Sequence, residues 1–249
     1  LAFYADADLD MLHIAADAPE RNVIRILNPI SSNLTIMRSL LAPSLLNVVV
    51  DNLKKGNNDG RLFELSNIYI PKQQPITELP EERLHLGFAA WGEGEDFFTL
   101  KGAVEALGTA FGTELTVERA TDVPWLHPGI AAYILCEGER VGVFGKLAND
   151  VTAELKLPKD SRSNQNIYLG EIDWPKFYDL VPKALHYTPI PELAPVQRDL
   201  ALVAPEETEC GTLTAEMQRA CKQLTKVELF DIYRGEKLGA GKKLSLIHI

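Results

Sequence analysis

Five histidines, His13, His85, His127, His186 and His248, are the residues best suited to proton transfer or metal ligation near neutral pH, but none has metal-ligand spacing to another. The three cysteines, Cys136, Cys210 and Cys221, form no Cys-x-x-Cys pair, so neither a zinc site nor a disulfide framework is supported. A Gly-x-Ser-x-Gly nucleophile elbow is absent from the sequence. The run from Gly235 to Lys243 misses the phosphate-loop pattern, because five residues separate Gly235 from Gly241 and Lys243 stands where Ser or Thr is needed. His127, before Pro128-Gly129, reads as a loop anchor. Glu81-Glu82 and Glu206-Glu207 read as solvated loop charges, not as a metal site. Nucleophilic, metal and phosphate-loop chemistry are all disfavoured by residue types and spacing.

The elements that would position any remaining chemistry belong to an ordinary globular chain of 249 residues, 46% hydrophobic and 24% charged. No run approaches the roughly 18 apolar residues of a membrane helix, and the start has neither a basic region nor an apolar core, so a cytoplasmic protein without membrane contact is expected. The net charge of −10 is uneven: residues 1–182 hold 16 Lys+Arg against 26 Asp+Glu, and residues 183–249 hold nine of each. Two units with different partners are expected, and any RNA contact should be local, since phosphates are bound mainly by Lys and Arg. The missing initiator Met and the unfinished alternation at 243–249 make the chain read as a fragment.

Periodicity predicts a strand over 23–27, ended by Asn28-Pro29, and a helix over 43–53 with Leu45, Leu46, Val49, Val50 and Leu53 on one face. Strands follow over 61–70 and 84–91. A helix over 97–111 starts behind Asp96, and further strands cover 115–119, 131–136, 140–144 and 167–172. A mostly antiparallel sheet with helices packed on it results. Four prolines between 182 and 195 mark an extended connector. Beyond it come a strand over 196–203, a helix over 212–224, a strand over 227–234 and a strand beginning at Lys243, the order that opens a ferredoxin-like unit.

Several stretches, taken in order, resemble one family. Asn28-Pro29-Ile30-Ser31-Ser32 leading to Met37-Arg38-Ser39-Leu40-Leu41, then Leu62-Phe63-Glu64-Leu65, Leu79-Pro80-Glu81-Glu82, Asp96-Phe97-Phe98-Thr99-Leu100-Lys101-Gly102 and His127-Pro128-Gly129, look like β subunits of bacterial-type phenylalanyl-tRNA synthetase. Pro195-Val196-Gln197-Arg198-Asp199-Leu200-Ala201-Leu202-Val203, Val227-Glu228-Leu229-Phe230-Asp231-Ile232-Tyr233-Arg234-Gly235 and Gly241-Lys242-Lys243 resemble that subunit's anticodon-binding domain. The resemblance runs from about residue 20. It departs at Gly145-Lys146-Leu147-Ala148-Asn149, where the family reads Gly-x-Leu-His-Pro, and at Leu244-Ser245-Leu246-Ile247-His248-Ile249.

The resemblance implies an α+β chain in three parts. Residues 1–181 would be a catalytically inactive class II aminoacyl-tRNA synthetase-like antiparallel sheet with helices. Residues 182–195 would be the linker. Residues 196–249 would be a ferredoxin-like (RRM-like) β-α-β-β anticodon-binding domain, truncated before its last helix and strand and therefore expected to be poorly soluble or fluid. It also implies an α subunit as partner in an α2β2 assembly, tRNA(Phe) as the second partner, and ligase activity to which this chain contributes no catalytic residue. ATP and Mg2+ serve the whole enzyme, and no cofactor or metal is expected here. The class II phosphate clamp needs Arg two residues before a Glu, but Leu62 stands there before Glu64, and Arg61 is one residue out of register, on the opposite face of a strand. Gly92-Glu93-Gly94 is followed by Phe98 where a second phosphate-binding Arg is needed.

The 45–53 stripe, preceded by Met37-Arg38, either covers its own sheet or packs against the α subunit. For RNA, the candidates are Arg198, Phe230, Tyr233, Arg234, Lys242 and Lys243, because loops are bound by stacking and backbone neutralisation. Strict alternation puts Tyr233 and Phe230 on opposite faces and assigns Phe230 to the core, leaving Arg198, Tyr233, Arg234, Lys242 and Lys243 as the RNA-binding set. The plain alternative for Arg198 is an ion pair with Asp199 or a turn anchor. A competing reading of the whole chain is a regulatory synthetase paralogue that binds a partner enzyme and no tRNA.

Overall fold

A two-stranded ribbon, β1 (Phe3–Tyr4) with β2 (Ile36–Met37), and a short helix α1 (Asp6–Met11) precede the first long helix, α2 (Ala42–Lys54). Next come β3 (Gly60–Ile70), β4 (Glu81–Trp91), α3 (Phe97–Ala110), β5 (Leu115–Arg119), β6 (Leu126–Cys136), β7 (Glu139–Leu147), α4 (Asn149–Glu154), β8 (Ile167–Asp173) and α5 (Trp174–Leu180). The last four elements are β9 (Asp199–Pro205), α6 (Cys210–Ala220), β10 (Glu228–Tyr233) and β11 (Lys242–His248). This computed structural model describes residues 2–155, 157, 166–184, 187, 194–235, 238, 239 and 241–249. The chain divides into two units, Leu1–Leu185 and His186–Ile249. Most of the proline-bearing connector, including residues 188–193, lies outside the described residues.

In the first unit six antiparallel strands form one sheet in the order β3-β4-β8-β7-β6-β5. The middle strands of the sheet are buried on both faces, while β3 and β5 at its edges are partly exposed. Helix α2 lies across β4 and β8 on one face, and α3 and α5 cover the other. Leu45, Leu46, Val49, Val50 and Leu53 are at most 7% exposed inside this chain. The stripe offered above to an α subunit therefore covers its own sheet, and the partner-surface reading is withdrawn for these residues. Helix α2 comes so close to β4 that a Cβ added to Gly87 would sit 2.6 Å from Leu45 Cδ1 and 3.0 Å from Leu41 Cβ. Gly87→Ala is accordingly expected to cost about 1–3 kcal/mol in urea denaturation, the usual penalty of overpacking a tight layer. An unchanged midpoint would mean that α2 can ride further from the sheet.

Two local expectations are corrected. Residues 23–27 form no strand: Arg25 makes an isolated bridge to Ile36, because the partner β2 is only two residues long and Asn28-Pro29 ends the run. Glu81 and Glu82 are not loop charges. They begin β4 opposite Ile70 and Tyr69, and Glu82 accepts from Asn67 Nδ2 at 3.0 Å. Helices α1, α4 and α5 were not anticipated.

The second unit has a three-stranded antiparallel sheet in the order β10-β11-β9 and the single described helix α6. Its central strand is the last one, and Ile247 and Ser245 of β11 are buried at 0% and 2% exposure. The half-buried stripe Cys210, Leu213, Thr214 and Met217 gives α6 one less exposed face. Among the described residues no helix of either unit is long and apolar enough to cross a membrane.

Candidate functional site

Paired residues of neighbouring strands share a face, so the register of the second sheet sorts its side chains. One face carries Leu200, Leu202 and Ala204 of β9, Ser245 and Ile247 of β11, and Leu229 and Ile232 of β10. The opposite face carries Ala201 and Val203, Leu244 and Leu246, and Tyr233. Between Leu229 and Asp231 the pairing slips by one residue. This bulge at Phe230 breaks the alternation, so Leu229 and Ile232, three apart, both turn inward, while Phe230 and Tyr233 are left 47% and 46% exposed. Phe230 stacks on His248, ring centroids 3.8 Å apart at 13°, which places it on Tyr233's face. The assignment of Phe230 to the core is thus overturned.

The basic candidates separate into two groups. Arg234 donates Nε to Glu206 Oε1 at 2.8 Å, Lys243 Nζ donates to the Glu206 carbonyl at 2.7 Å, and Lys242 sits exposed at the same end of the sheet. Glu206 is therefore a tether for two cations, not a free loop charge. Tyr233 is at this end too, opposite Leu244, with its ring over Gly235, where an added Cβ would meet the phenol carbon at 2.6 Å. Arg198 lies at the other end, beside Ile249, with which it exchanges both backbone hydrogen bonds at 2.8 Å. Six residue steps lead from Lys243 to Ile249, about 20 Å at roughly 3.3 Å per residue. By register Arg198 also belongs to Ile247's face, and its Nη1 donates to the Gln197 carbonyl at 2.9 Å. Asp199 instead pairs with His248 Nδ1 at 2.5 Å, so the anticipated Arg198–Asp199 ion pair is not formed.

In the first unit the face of the sheet under the N-terminus of α2 gathers polar groups from distant segments. Arg38, 3% exposed, donates Nε to the Asn67 carbonyl at 2.8 Å and Nη1 to Glu64 Oε1 at 2.7 Å. Arg61 is on the other face, where its Nε bonds Glu95 at 2.8 Å. Glu171, 5% exposed, receives the N–H groups of Leu41 and Ala42 at 2.9 and 3.1 Å on one oxygen and His85 Nδ1 at 2.7 Å on the other. A carboxylate at a helix N-terminus satisfies donors that the helix cannot. The signal for it was present in the sequence: Glu171 is the single charge in the apolar run Ile167-Tyr168-Leu169-Gly170-Glu171-Ile172. Among the described residues no group of three or more His, Cys, Asp or Glu could hold a metal ion.

On the same face the Tyr133 phenol donates to Asp122 at 2.6 Å with Arg140 4.0 Å over its ring. Burial, then the bond to Asp122, pushes the Tyr133 phenol from 10 up to about 12, while the same bond lowers Asp122 below its usual range. Because folding raises the phenol's pKa, its contribution to stability is whole below pH 10 and is lost as the pH rises through 12. Titration of tyrosine absorbance at 295 nm should show one phenol fewer still protonated at pH 11 in Tyr133→Phe than in the parent chain, Tyr4 and Tyr168 being raised by burial as well. Titration of every phenol by pH 11 would refute the assignment.

Residues 1–174 match the family model described as the phenylalanyl tRNA synthetase beta chain CLM domain, and residues 191–249 match the ferredoxin-fold anticodon binding domain. The phenylalanine–tRNA ligase beta subunit of Symbiobacterium thermophilum is 33% identical over 248 residues, covering 94% of this chain and 27% of that protein. That of Moorella thermoacetica is 31% identical, covering 97% and 30%, and that of Geobacter metallireducens 30% identical, covering 100% and 32%. The chain thus spans about a third of the length of these relatives.

Proposed function

Because this chain belongs to the family of phenylalanyl-tRNA synthetase β chains, we propose that its second unit binds the anticodon loop of tRNA(Phe) on the face that bears Phe230 and Tyr233. The observation that carries this reading is the bulge at Phe230, which leaves two aromatic rings exposed on the face that also bears Lys242, with Arg234 at the same end of the sheet. Exposed rings stack on unpaired bases, and the adjoining cations neutralise the backbone between them. Tyr233, Arg234 and Lys242 make one contact region; Lys243 is at the same end of the sheet but on the opposite face by register. Arg198, at the far end of the sheet, meets a separate stretch of the RNA.

The first unit supports an α subunit, within an α2β2 enzyme that joins phenylalanine to tRNA in the cytoplasm using ATP and Mg2+. Its own sheet face does not fit a nucleoside triphosphate: Arg38 is committed to Glu64, Arg83 Nη2 bonds Asp173 at 2.7 Å, and among the described residues the cavity there is lined by no lysine or arginine but by the carboxylates of Glu20, Asp122, Glu171 and Asp173. No reaction step is therefore assigned to this chain. The three-part division, 1–181, 182–195 and 196–249, is retained as the working domain map. A regulatory paralogue without tRNA contact is not supported, since residues 191–249 match an anticodon-binding model.

Filter binding of tRNA(Phe) at several salt concentrations tests the interface. Tyr233→Ala is expected to weaken binding about 5- to 150-fold, the equivalent of about 1–3 kcal/mol for one lost stacking contact. Lys242→Ala should reduce the slope of log affinity against log salt by about 0.7, one phosphate contact on a single strand. Unchanged affinity in Tyr233→Ala together with an unchanged slope in Lys242→Ala would remove this face as the RNA surface.

A further inference from the structure

On the α2 face of the first sheet the register sets Ser66, His85 and Asp173 side by side across three strands, and next to them Gly87, Glu171, Val143 and Tyr133. Where α2 stops covering this face, a cavity of about 550 Å³ opens, within the size range of small-molecule sites. Its apolar walls include Leu40, Val123, Trp125 and Val143.

Most of the polar side-chain atoms it offers accept; the exceptions in the lining are the indole N–H of Trp125 and the His13 ring, which is engaged with Asp150 and Glu154. Glu171 uses one oxygen for the two backbone N–H groups of α2 and presents the other to His85, so His85 Nδ1 carries the proton and donates. In the neutral imidazole His85 Nε2 is then a lone-pair acceptor, and among the described residues it has no protein partner. Tyr133 spends its O–H on Asp122, which leaves the phenol oxygen and the carboxylate as acceptors. Glu20 and Asp173 also line the cavity; Arg83 bonds Asp173 from outside the lining and Arg140 lies over the Tyr133 ring, so among the described residues the acceptors left without a cation are His85 Nε2, Glu20 and Asp122. A neutral or anionic guest would leave these acceptors unsatisfied or repelled, whereas an N–H-rich cation satisfies them.

We infer that this cavity is a binding site for a small organic ammonium ion: a primary amine with an apolar body, its head group at His85 Nε2 and Asp122, its body along Trp125 and Val143. Capture of such a ligand is independent of RNA binding by the second unit.

The test uses the 249-residue chain with n-hexylammonium as probe and 1-hexanol and hexanoate as controls of matched shape. Calorimetry should give saturable binding for the ammonium and none for the controls at the same concentrations. Nitrogen-15 spectra should report His85 protonated at Nδ1, with Nε2 shifting on titration. His85→Phe should weaken binding at least tenfold. If that variant does not fold, Asp122→Asn, at an exposed position, should weaken it at least threefold. Equal binding of hexanol would reduce the site to an apolar hollow and overturn the assignment, as would a folded His85→Phe or Asp122→Asn chain with unchanged affinity. A lysine-bearing peptide that displaced the probe at equal concentration would overturn the small-molecule assignment in favour of a protein side chain.

Discussion

Glu171→Ala is expected to lower the stability of the first unit by about 3–5 kcal/mol, a large part of the 5–15 kcal/mol typical of a domain. Three donors depend on this carboxylate: the N–H groups of Leu41 and Ala42 and the Nδ1–H of His85. All lose their partner at once in a layer where Leu41 and Ala42 are fully buried, and each buried orphan costs about 1–3 kcal/mol. Glu171→Gln keeps the volume and one acceptor and should lose less. Urea denaturation followed by tryptophan fluorescence reads the first unit directly, because Trp91, Trp125 and Trp174 all belong to it. A loss below about 1 kcal/mol for the alanine variant would mean that water reaches the three donors and that the carboxylate is not what anchors α2 to β8.

Leu45→Asp should prevent the first unit from folding. Leu45 is 2% exposed between α2 and β4, against Gly87, and the new carboxylate would find no cation among the residues packed there. An unpaired charge in such a layer costs about 4 kcal/mol or more. Circular dichroism should show the loss of the cooperative melt. A Leu45→Asp chain that melted normally and lost only its association with an α subunit would restore the interface reading withdrawn above.

The long elements were legible because their patterns are repetitive. Strands β3 and β4 run to eleven residues each, β3 alternating over its first half, and the α2 stripe at Leu45, Leu46, Val49, Val50 and Leu53 has unbroken helical spacing. Helices α1 and α4 are six residues long and α5 seven, too short for a stripe to repeat. The aromatic pair in α5, Trp174 and Phe177, gains its place from Phe111 of the α3 C-cap, a contact that no local pattern announces. At the candidate interface the residue types were readable and their geometry was not. A bulge depends on how two strands pair, so strict alternation placed Phe230 on the wrong face. The cavity in the first unit was missed for a related reason. His85, Tyr133 and Glu171 lie on three separate strands and meet only through the strand order, which single-chain periodicity does not contain.

The bond from Leu41 N–H to Glu171 spans 130 positions of chain, and β4 takes β8, not its successor in sequence, as its second neighbour. On a ribosome, at roughly 5–20 residues per second, about 6–26 s separate the emergence of α2 from that of the strand that completes its seat. During that interval Leu45, Val49 and Leu53 have no finished sheet beneath them, and nascent α2 is a natural substrate for a chaperone. Slow, late cooperativity in ribosome-bound chains halted before and after residue 173 would be the kinetic signature of this strand order.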